Sequence, residues 1–100
     1  MSYKLDFSET VLSKLESLGK SDAKILRQVF IKIISLRKNP IPQDSEKLVN
    51  FSYKGLVGHR VDQGEYRVIY AVNEKEKTVF IGAILNRNEG YKELKNLALS

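Results

Sequence analysis

A tight pair near the middle of the chain, Gly64-Glu65, separates two short runs in which β-branched and aromatic residues alternate with polar ones. This pattern predicts a β-hairpin with a two-residue loop. Asp62 would then lie opposite Arg67, and because side chains alternate along a strand, Arg60 would share a face with both. The pattern therefore predicts that two arginines converge on one face of a sheet.

Two alternatives remain open for these residues. A loop shifted to Gln63-Gly64 would place Arg60 directly opposite Arg67, and it would leave the grouping on one face unchanged. Asp62 and Arg67 could also form an ordinary cross-strand ion pair without a further role, contributing roughly 0.2–1 kcal/mol to stability.

The segment before the hairpin predicts one strand and two helices. Residues 3–7 alternate between apolar and polar types, as a short half-buried strand does. Apolar residues then recur at helical spacing in two stretches. A first helix is expected to begin after the cap residue Ser8 and to end at Gly19, and a second to begin after Ser21 and to end before Pro40.

The remaining segments complete an α+β pattern. Residues 40–55 are interpreted as an irregular, partly basic connection, residues 78–85 as a third apolar strand, and residues 91–99 as a short terminal helix. We therefore expect one domain over residues 1–100 in the order β-α-α-β-β-β-α, with a helical hairpin packed on one face of a mostly antiparallel, twisted sheet. Too few elements remain to cover the other face, where a functional site is expected.

Composition narrows the partners and the compartment. Seventeen Lys and Arg against twelve Asp and Glu give a net charge of +5, which favours RNA, DNA or an acidic protein as partner. The chain has no cysteine, which excludes a thiolate nucleophile and fits a reducing cytoplasm. The apolar stretches are too short to span a membrane, and the alternating Met1–Phe7 segment is unlike a secretory signal, so we expect a soluble cytoplasmic protein.

Standard site motifs are missing from the sequence. The single histidine, His59, excludes metal sites that need several imidazoles. There is no Gly-rich phosphate loop, and the carboxylates form no conspicuous cluster. We therefore expect no metal and no cofactor, and any chemistry would fall to Arg, Lys and Tyr. His59, Lys47 and Lys54 could equally be solvated surface residues.

The segment from His59 to Tyr70, HRVDQGEYRVIY, resembles the hairpin of the RelE and ParE toxin superfamily. In that superfamily a basic strand, a glycine turn and a Tyr-Arg-hydrophobic-hydrophobic-Tyr strand recur. The Asn86–Tyr91 segment is similar to the late arginine and tyrosine of the family, and Glu46-Lys47-Leu48 resembles its Lys-Leu element. The presence of both Arg87 and Tyr91 at this spacing points towards RelE rather than ParE. The order of elements matches that of the family over nearly the whole chain.

The resemblance implies a ribosome-dependent endoribonuclease, or mRNA interferase, that cuts messenger RNA in the ribosomal A site. In such toxins a 2′-hydroxyl attacks the adjacent phosphate, which leaves a 2′,3′-cyclic phosphate and a 5′-hydroxyl. By resemblance, Arg67 would stabilise the transition state and Arg87 would hold the scissile phosphate. Tyr91 would orient or deprotonate the 2′-hydroxyl or stack on a base. The assignment of general acid and general base stays open.

Arg60, Lys54, Lys47 and His59 are the expected RNA contacts. Well-studied members carry lysine at the position of Arg60 and a second lysine two places earlier, where this chain has Gly58. Lys54 is a candidate replacement for that second lysine.

The resemblance also implies partners and rival functions. The expected partners are a RelB-like antitoxin, the ribosome with its small-subunit rRNA, and messenger RNA, while operator DNA would be bound only through the antitoxin. The alternatives are a ParE-like inhibitor of DNA gyrase, or a binding module that keeps the fold without catalysis, which Gly58 would favour.

Overall fold

The structure, a computed structural model, describes residues 2–87. Its elements are β1 (Lys4–Phe7), α1 (Glu9–Ser21), α2 (Ala23–Ser35), β2 (Glu46–Tyr53), β3 (Leu56–Gln63), β4 (Tyr66–Asn73) and β5 (Thr78–Asn86). The predicted fold class is confirmed, since two helices pack on a mostly antiparallel sheet. The order is β-α-α-β-β-β-β over the described residues, with one strand more than predicted. The predicted helix at residues 91–99 lies outside them.

The sheet has the strand order β1-β5-β4-β3-β2. Strands β2 to β5 follow one another as an antiparallel meander, and β1 pairs with β5 in parallel. In the β3–β4 hairpin Gln63 pairs with Tyr66 and Asp62 with Arg67, so the predicted loop at Gly64-Glu65 is confirmed.

The main core lies between the helices and one face of the sheet. The apolar stripes of α1 and α2 meet alternate residues of β3, β4 and β5, as the period of each element requires. Its buried members are Val11, Val29, Ile33, Leu36, Val61, Val68, Tyr70, Val79, Ile81 and Ile84.

The helix boundaries differ from the predicted ones. Ser8 caps α1 as expected, with its hydroxyl accepting from the Val11 amide at 3.1 Å, but α1 continues through Gly19. Asp22, rather than Ser21, caps α2, and its carboxylate accepts from the Ile25 amide at 3.2 Å. Gly19 lies where the helices touch, since a Cβ there would be 3.2 Å from a Leu26 methyl. The glycine therefore permits close helix packing, and α2 itself ends at Ser35, short of Pro40.

The prediction of an irregular connection over residues 40–55 is wrong in its second half, which forms the edge strand β2. Two features hid this strand. Its register with β3 shifts between Lys47 and Ser52, which interrupts the alternation of side chains. Its turn to β3 is Lys54-Gly55, with φ values of 54° and 74°, a primed hairpin turn in which lysine takes the place usually held by Asn, Asp or Gly.

The second face of the sheet is partly covered by this edge strand. Leu48 and Phe51 of β2 pack on Ile69, Ala83 and Leu85 and form a smaller apolar cluster. No helix within residues 2–87 is long and apolar enough to cross a membrane.

Candidate functional site

The hairpin register brings two arginines onto the sheet face that lies opposite the helices. Asp62 is between them, with its Oδ2 3.6 Å from Arg60 Nη1 and its Oδ1 3.5 Å from Arg67 Nε. Ile69 belongs to the smaller cluster on this side. We call the side of the hairpin that carries Arg60, Asp62, Arg67 and Ile69 the arginine face.

Glu46 of β2 extends this set across a third strand. Arg60 donates from Nε and Nη2 to one oxygen of Glu46, at 3.2 Å and 2.6 Å. The resulting charged row, Glu46-Arg60-Asp62-Arg67, alternates acid and base over β2, β3 and β4. The Arg60 and Arg67 side chains are 20% and 23% exposed, so both are largely held by the protein and still reach solvent.

Sequence reasoning missed Glu46 because residue 46 was assigned to a loop. The available signal was the Lys-Leu element itself, Glu46-Lys47-Leu48. If this segment is taken as a strand that pairs with β3, Glu46 becomes an exposed strand residue and a candidate charged partner for Arg60.

Buried residues of the smaller apolar cluster lie next to the arginines in the sheet. Leu85 of β5 lies directly opposite Arg67, and Ile69 lies opposite Arg60. Both leucine and isoleucine are buried. Long arginine stems can pack along such surfaces while the guanidinium stays polar. Two fixed guanidinium groups on one face can bind the oxygens of a phosphate with paired, charge-assisted hydrogen bonds.

Arg87 follows directly after β5, at the same end of the sheet as the Gly64-Glu65 turn. Its backbone amide donates to the Glu65 carbonyl at 2.8 Å, one step beyond the pairing of Tyr66 with Asn86. Arg87 is exposed and two residues beyond Leu85, the partner of Arg67. Two residues of strand span about 7 Å. The structure therefore brings Arg87 to the end of the sheet that holds Arg67.

The comparisons with known proteins agree with this architecture. A family model described as the ParE toxin of a type II toxin–antitoxin system, parDE, matches residues 5–91. A Methanocaldococcus jannaschii protein whose name describes it as a RelE1 toxin is 30% identical over 96 residues, which are 92% of this chain and 98% of the relative.

This chain belongs to the RelE/ParE family of toxins.

Solved structures of the family show the same fold. RelE in the archaeal RelE–RelB complex from Pyrococcus horikoshii OT3 is 30% identical, with a TM-score of 0.71 over 90% of this chain and 100% of that one. A doubly substituted variant of the Escherichia coli RelE toxin in the free state has a TM-score of 0.68 over 99% of this chain and 96% of that one. Its identity of 22% supports the fold alone.

The other expected RNA contacts of this RelE/ParE toxin lie elsewhere. His59 stacks on Tyr70 with ring centroids 5.6 Å apart, and since Tyr70 belongs to the main core, His59 is on the helix-covered side of the sheet. Lys47 lies opposite His59, and burial together with the charge of Lys47 lowers the pKa of His59. The structure does not bring these two residues to the arginine face.

Lys54 lies at the far end of the arginine face from Arg67. Its Nζ is 5.2 Å from the centroid of the Phe80 ring, and Phe80 lies opposite Ala71. Ala71 is four residues along β4 from Arg67, a distance of about 13 Å in a strand. Gly58 also lies opposite Ala71, so the Lys54 amino group approaches the part of this face where the family pattern places a lysine, although it does not lie beside Arg67. The role of Lys54 as a replacement for that lysine stays a prediction.

Gly58 has no room for a side chain. A Cβ built on it would overlap the ring of Phe51 and lie 3.5 Å from a Leu48 methyl. Glycine at this position, where the family pattern has lysine, therefore leaves the space that the Phe51 ring of β2 fills. Tyr91, the remaining expected site residue, lies outside the described residues.

Within residues 2–87, no three His, Asp or Glu side chains are grouped in a way that could hold a metal ion. The arginine face can act electrostatically, because it holds two fixed positive charges. In this structure the carboxylates of Glu46 and Asp62 oppose those charges.

Proposed function

We propose that this toxin is an endoribonuclease that cleaves messenger RNA in the A site of the ribosome without a metal or cofactor of its own. The observation that carries the proposal is the convergence of Arg60 and Arg67 on one solvent-reaching face, with the backbone of Arg87 at the same end of the sheet.

In the proposed reaction, the 2′-hydroxyl oxygen of a nucleotide attacks the phosphorus that follows it. The new O2′–P bond forms and the P–O5′ bond breaks, which gives a 2′,3′-cyclic phosphate and a 5′-hydroxyl. One proton leaves the attacking hydroxyl and one is delivered to the leaving oxygen, so the overall charge is balanced. Negative charge accumulates on the two non-bridging oxygens in the transition state.

The arginines suit that accumulation of charge. Arg67, held by the hairpin and backed by Leu85, would neutralise the pentacoordinate phosphorus group, and Arg87 would hold the scissile phosphate. A well-placed donor of this kind contributes about 3–4 kcal/mol to transition-state stabilisation. Arg60 would grip a neighbouring phosphate. Tyr91 would orient or deprotonate the 2′-hydroxyl, or stack on a base.

A tyrosine or an arginine is a weak base near neutral pH, since their ordinary pKa values are about 10 and above 12. Such a site would be slow on loose RNA and would depend on a surface that aligns the message. The ribosome supplies that alignment. Its small-subunit rRNA is also a fitting partner for a chain with a net charge of +5.

The proposal includes an antitoxin as the resting partner. RelE structures from Pyrococcus horikoshii and Mycobacterium tuberculosis were solved as complexes with RelB-type antitoxins. A RelB-like protein would cover the arginine face in the cytoplasm, and the pair would contact operator DNA through the antitoxin.

A second candidate function has its own support. The matching family model is that of ParE, which favours inhibition of DNA gyrase. Induced expression of the toxin without its antitoxin, followed by mapping of messenger 5′ ends, separates the two. The ribonuclease predicts new 5′ ends inside reading frames, which vanish when the start codon of the reporter message is removed. Gyrase inhibition predicts intact messages and broken DNA.

A further inference from the structure

Asp62 occupies the space between the two guanidinium groups of the arginine face. One of its oxygens faces Arg60 at 3.6 Å and the other faces Arg67 at 3.5 Å. Charge-assisted hydrogen bonds between such groups are about 2.7–2.9 Å long. The carboxylate is therefore shared by the two arginines at ion-pair distance, without a short bond to either.

The strands fix this arrangement. Asp62 lies directly opposite Arg67 in the hairpin, and Arg60 is two residues earlier on the same strand and the same face. Because the backbone positions are set by the ladder, the carboxylate and the two guanidinium groups can separate only by rotation of side chains. The Asp62 side chain is 39% exposed, so it has solvent to rotate into.

A phosphate that binds both arginines needs the position that the Asp62 carboxylate occupies. It offers two unesterified oxygens to two guanidinium groups, as the carboxylate does, and it brings its own negative charge. Asp62 and a bound phosphate would repel each other if both stayed in place.

We propose that Asp62 is an internal competitor for RNA phosphate at the arginine face. In the RNA-free toxin it holds Arg60 and Arg67 together, and a phosphate that binds both arginines displaces it. Asp62 thus lowers the affinity for loose RNA and makes the site selective for a message that is already held in place. It is a positioning residue, and its role rests on the proposed function, in which Arg67 meets a phosphate.

The test compares Asp62→Asn with Glu76→Gln. Both substitutions remove one negative charge, but Glu76 is exposed in the β4–β5 turn, at the opposite end of the sheet. The probe is a fluorescent, fully 2′-O-methylated single-stranded RNA that cannot be cleaved, and its binding to the antitoxin-free toxin is followed by anisotropy over a series of salt concentrations.

Asp62→Asn is expected to bind the probe about two- to fivefold more tightly than Glu76→Gln does at the same salt concentration, an effect of the size expected for an ion pair that no longer competes. Its plot of log affinity against log salt should be steeper by about 0.7, which corresponds to one additional phosphate contact on a single strand. Equal affinities and equal slopes for the two variants would overturn the inference.

A measurement on the unsubstituted toxin keeps the inference testable if Asp62→Asn folds poorly. Titration with the same probe should move the Asp62 13Cγ resonance together with the Arg67 Nε resonance. Movement of the Arg67 signal with a stationary Asp62 signal would show that phosphate binds beside the carboxylate and does not replace it, which contradicts the inference.

Cleavage assays separate this inference from the proposed function. If Arg67→Ala abolishes cleavage while Asp62→Asn binds like Glu76→Gln, the inference fails and the ribonuclease stands. If Asp62→Asn binds RNA more tightly while Arg67→Ala cleaves like the unsubstituted toxin, the carboxylate competes for RNA, but the proposed function fails.

Discussion

The ring of Phe51 lies over the backbone of Gly58, at the point where any side chain on residue 58 would begin. The two residues belong to neighbouring strands, and the register of β2 against β3 shifts between Lys47 and Ser52, in the stretch that contains Phe51. Gly58 is buried, so this contact forms part of the structure that supports the arginine face.

Gly58→Ala is expected to destabilise the toxin, although alanine ordinarily suits a strand better than glycine does. The added methyl group would collide with the Phe51 ring, and overpacking of this kind costs about 1–3 kcal/mol. Urea unfolding would measure the loss. In a Phe51→Ala background the same substitution should cost much less, since the collision is gone. A Gly58→Ala protein as stable as the unsubstituted one would contradict this reading of the contact.

Because Tyr70 is buried, the free energy of unfolding of the toxin should fall at alkaline pH. The tyrosine is fully buried in the main core, and burial raises its pKa from 10.0 to about 12, while the nearby Ser45 acts in the opposite direction. Between these two values the unfolded chain has lost the phenolic proton and the folded chain keeps it. The stabilisation is therefore complete below pH 10 and is lost as the pH rises towards 12.

The measurement is the difference in unfolding free energy between the unsubstituted toxin and Tyr70→Phe. It should be constant up to about pH 10 and then fall by roughly 1.4 kcal/mol per pH unit. A difference that stays constant up to pH 12 would show that the hydroxyl ionises as freely in the folded state as in the unfolded one.

The boundary between the helices gives a matched pair of variants. Asp22 ends α1, with its amide donating to the Leu18 carbonyl at 2.7 Å, and its carboxylate caps α2. Ser21 is exposed, and its hydroxyl donates only to the Ser17 carbonyl in its own helix. Thermal or urea unfolding should show a loss of about 1 kcal/mol for Asp22→Ala and a change within about 0.5 kcal/mol for Ser21→Ala. A larger loss for Ser21→Ala than for Asp22→Ala would show that Ser21 is the cap and would contradict this assignment.

The hairpin could be predicted from the sequence because local rules decide it. A two-residue turn fixes the pairing of Asp62 with Arg67, and the period of a strand then fixes which side chains share a face. The same rule places His59 on the opposite face from Arg60, its neighbour in the strand. The predicted RNA contacts of His59 and Arg60 would therefore involve two faces of the sheet.

The edge strand β2 could not be predicted by the same reasoning. A bulge interrupts the alternation of its side chains, and Lys54 adopts a positive φ that its residue type does not predict. The position of Glu46 in the charged row and the packing of Phe51 on Gly58 depend on this strand. Both follow from tertiary packing, which no local pattern encodes.

The central claim is that Arg67 acts on the phosphate of a message held by the ribosome. Cleavage of a defined message on purified translating ribosomes, measured for the toxin, for Arg67→Ala and for Arg27→Ala, tests it most directly. Arg27 is an exposed arginine of α2, on the helical side of the sheet. We predict that Arg67→Ala lowers the cleavage rate about 10²- to 10³-fold, while Arg27→Ala leaves the rate unchanged. Equal rates for all three folded proteins would contradict the account.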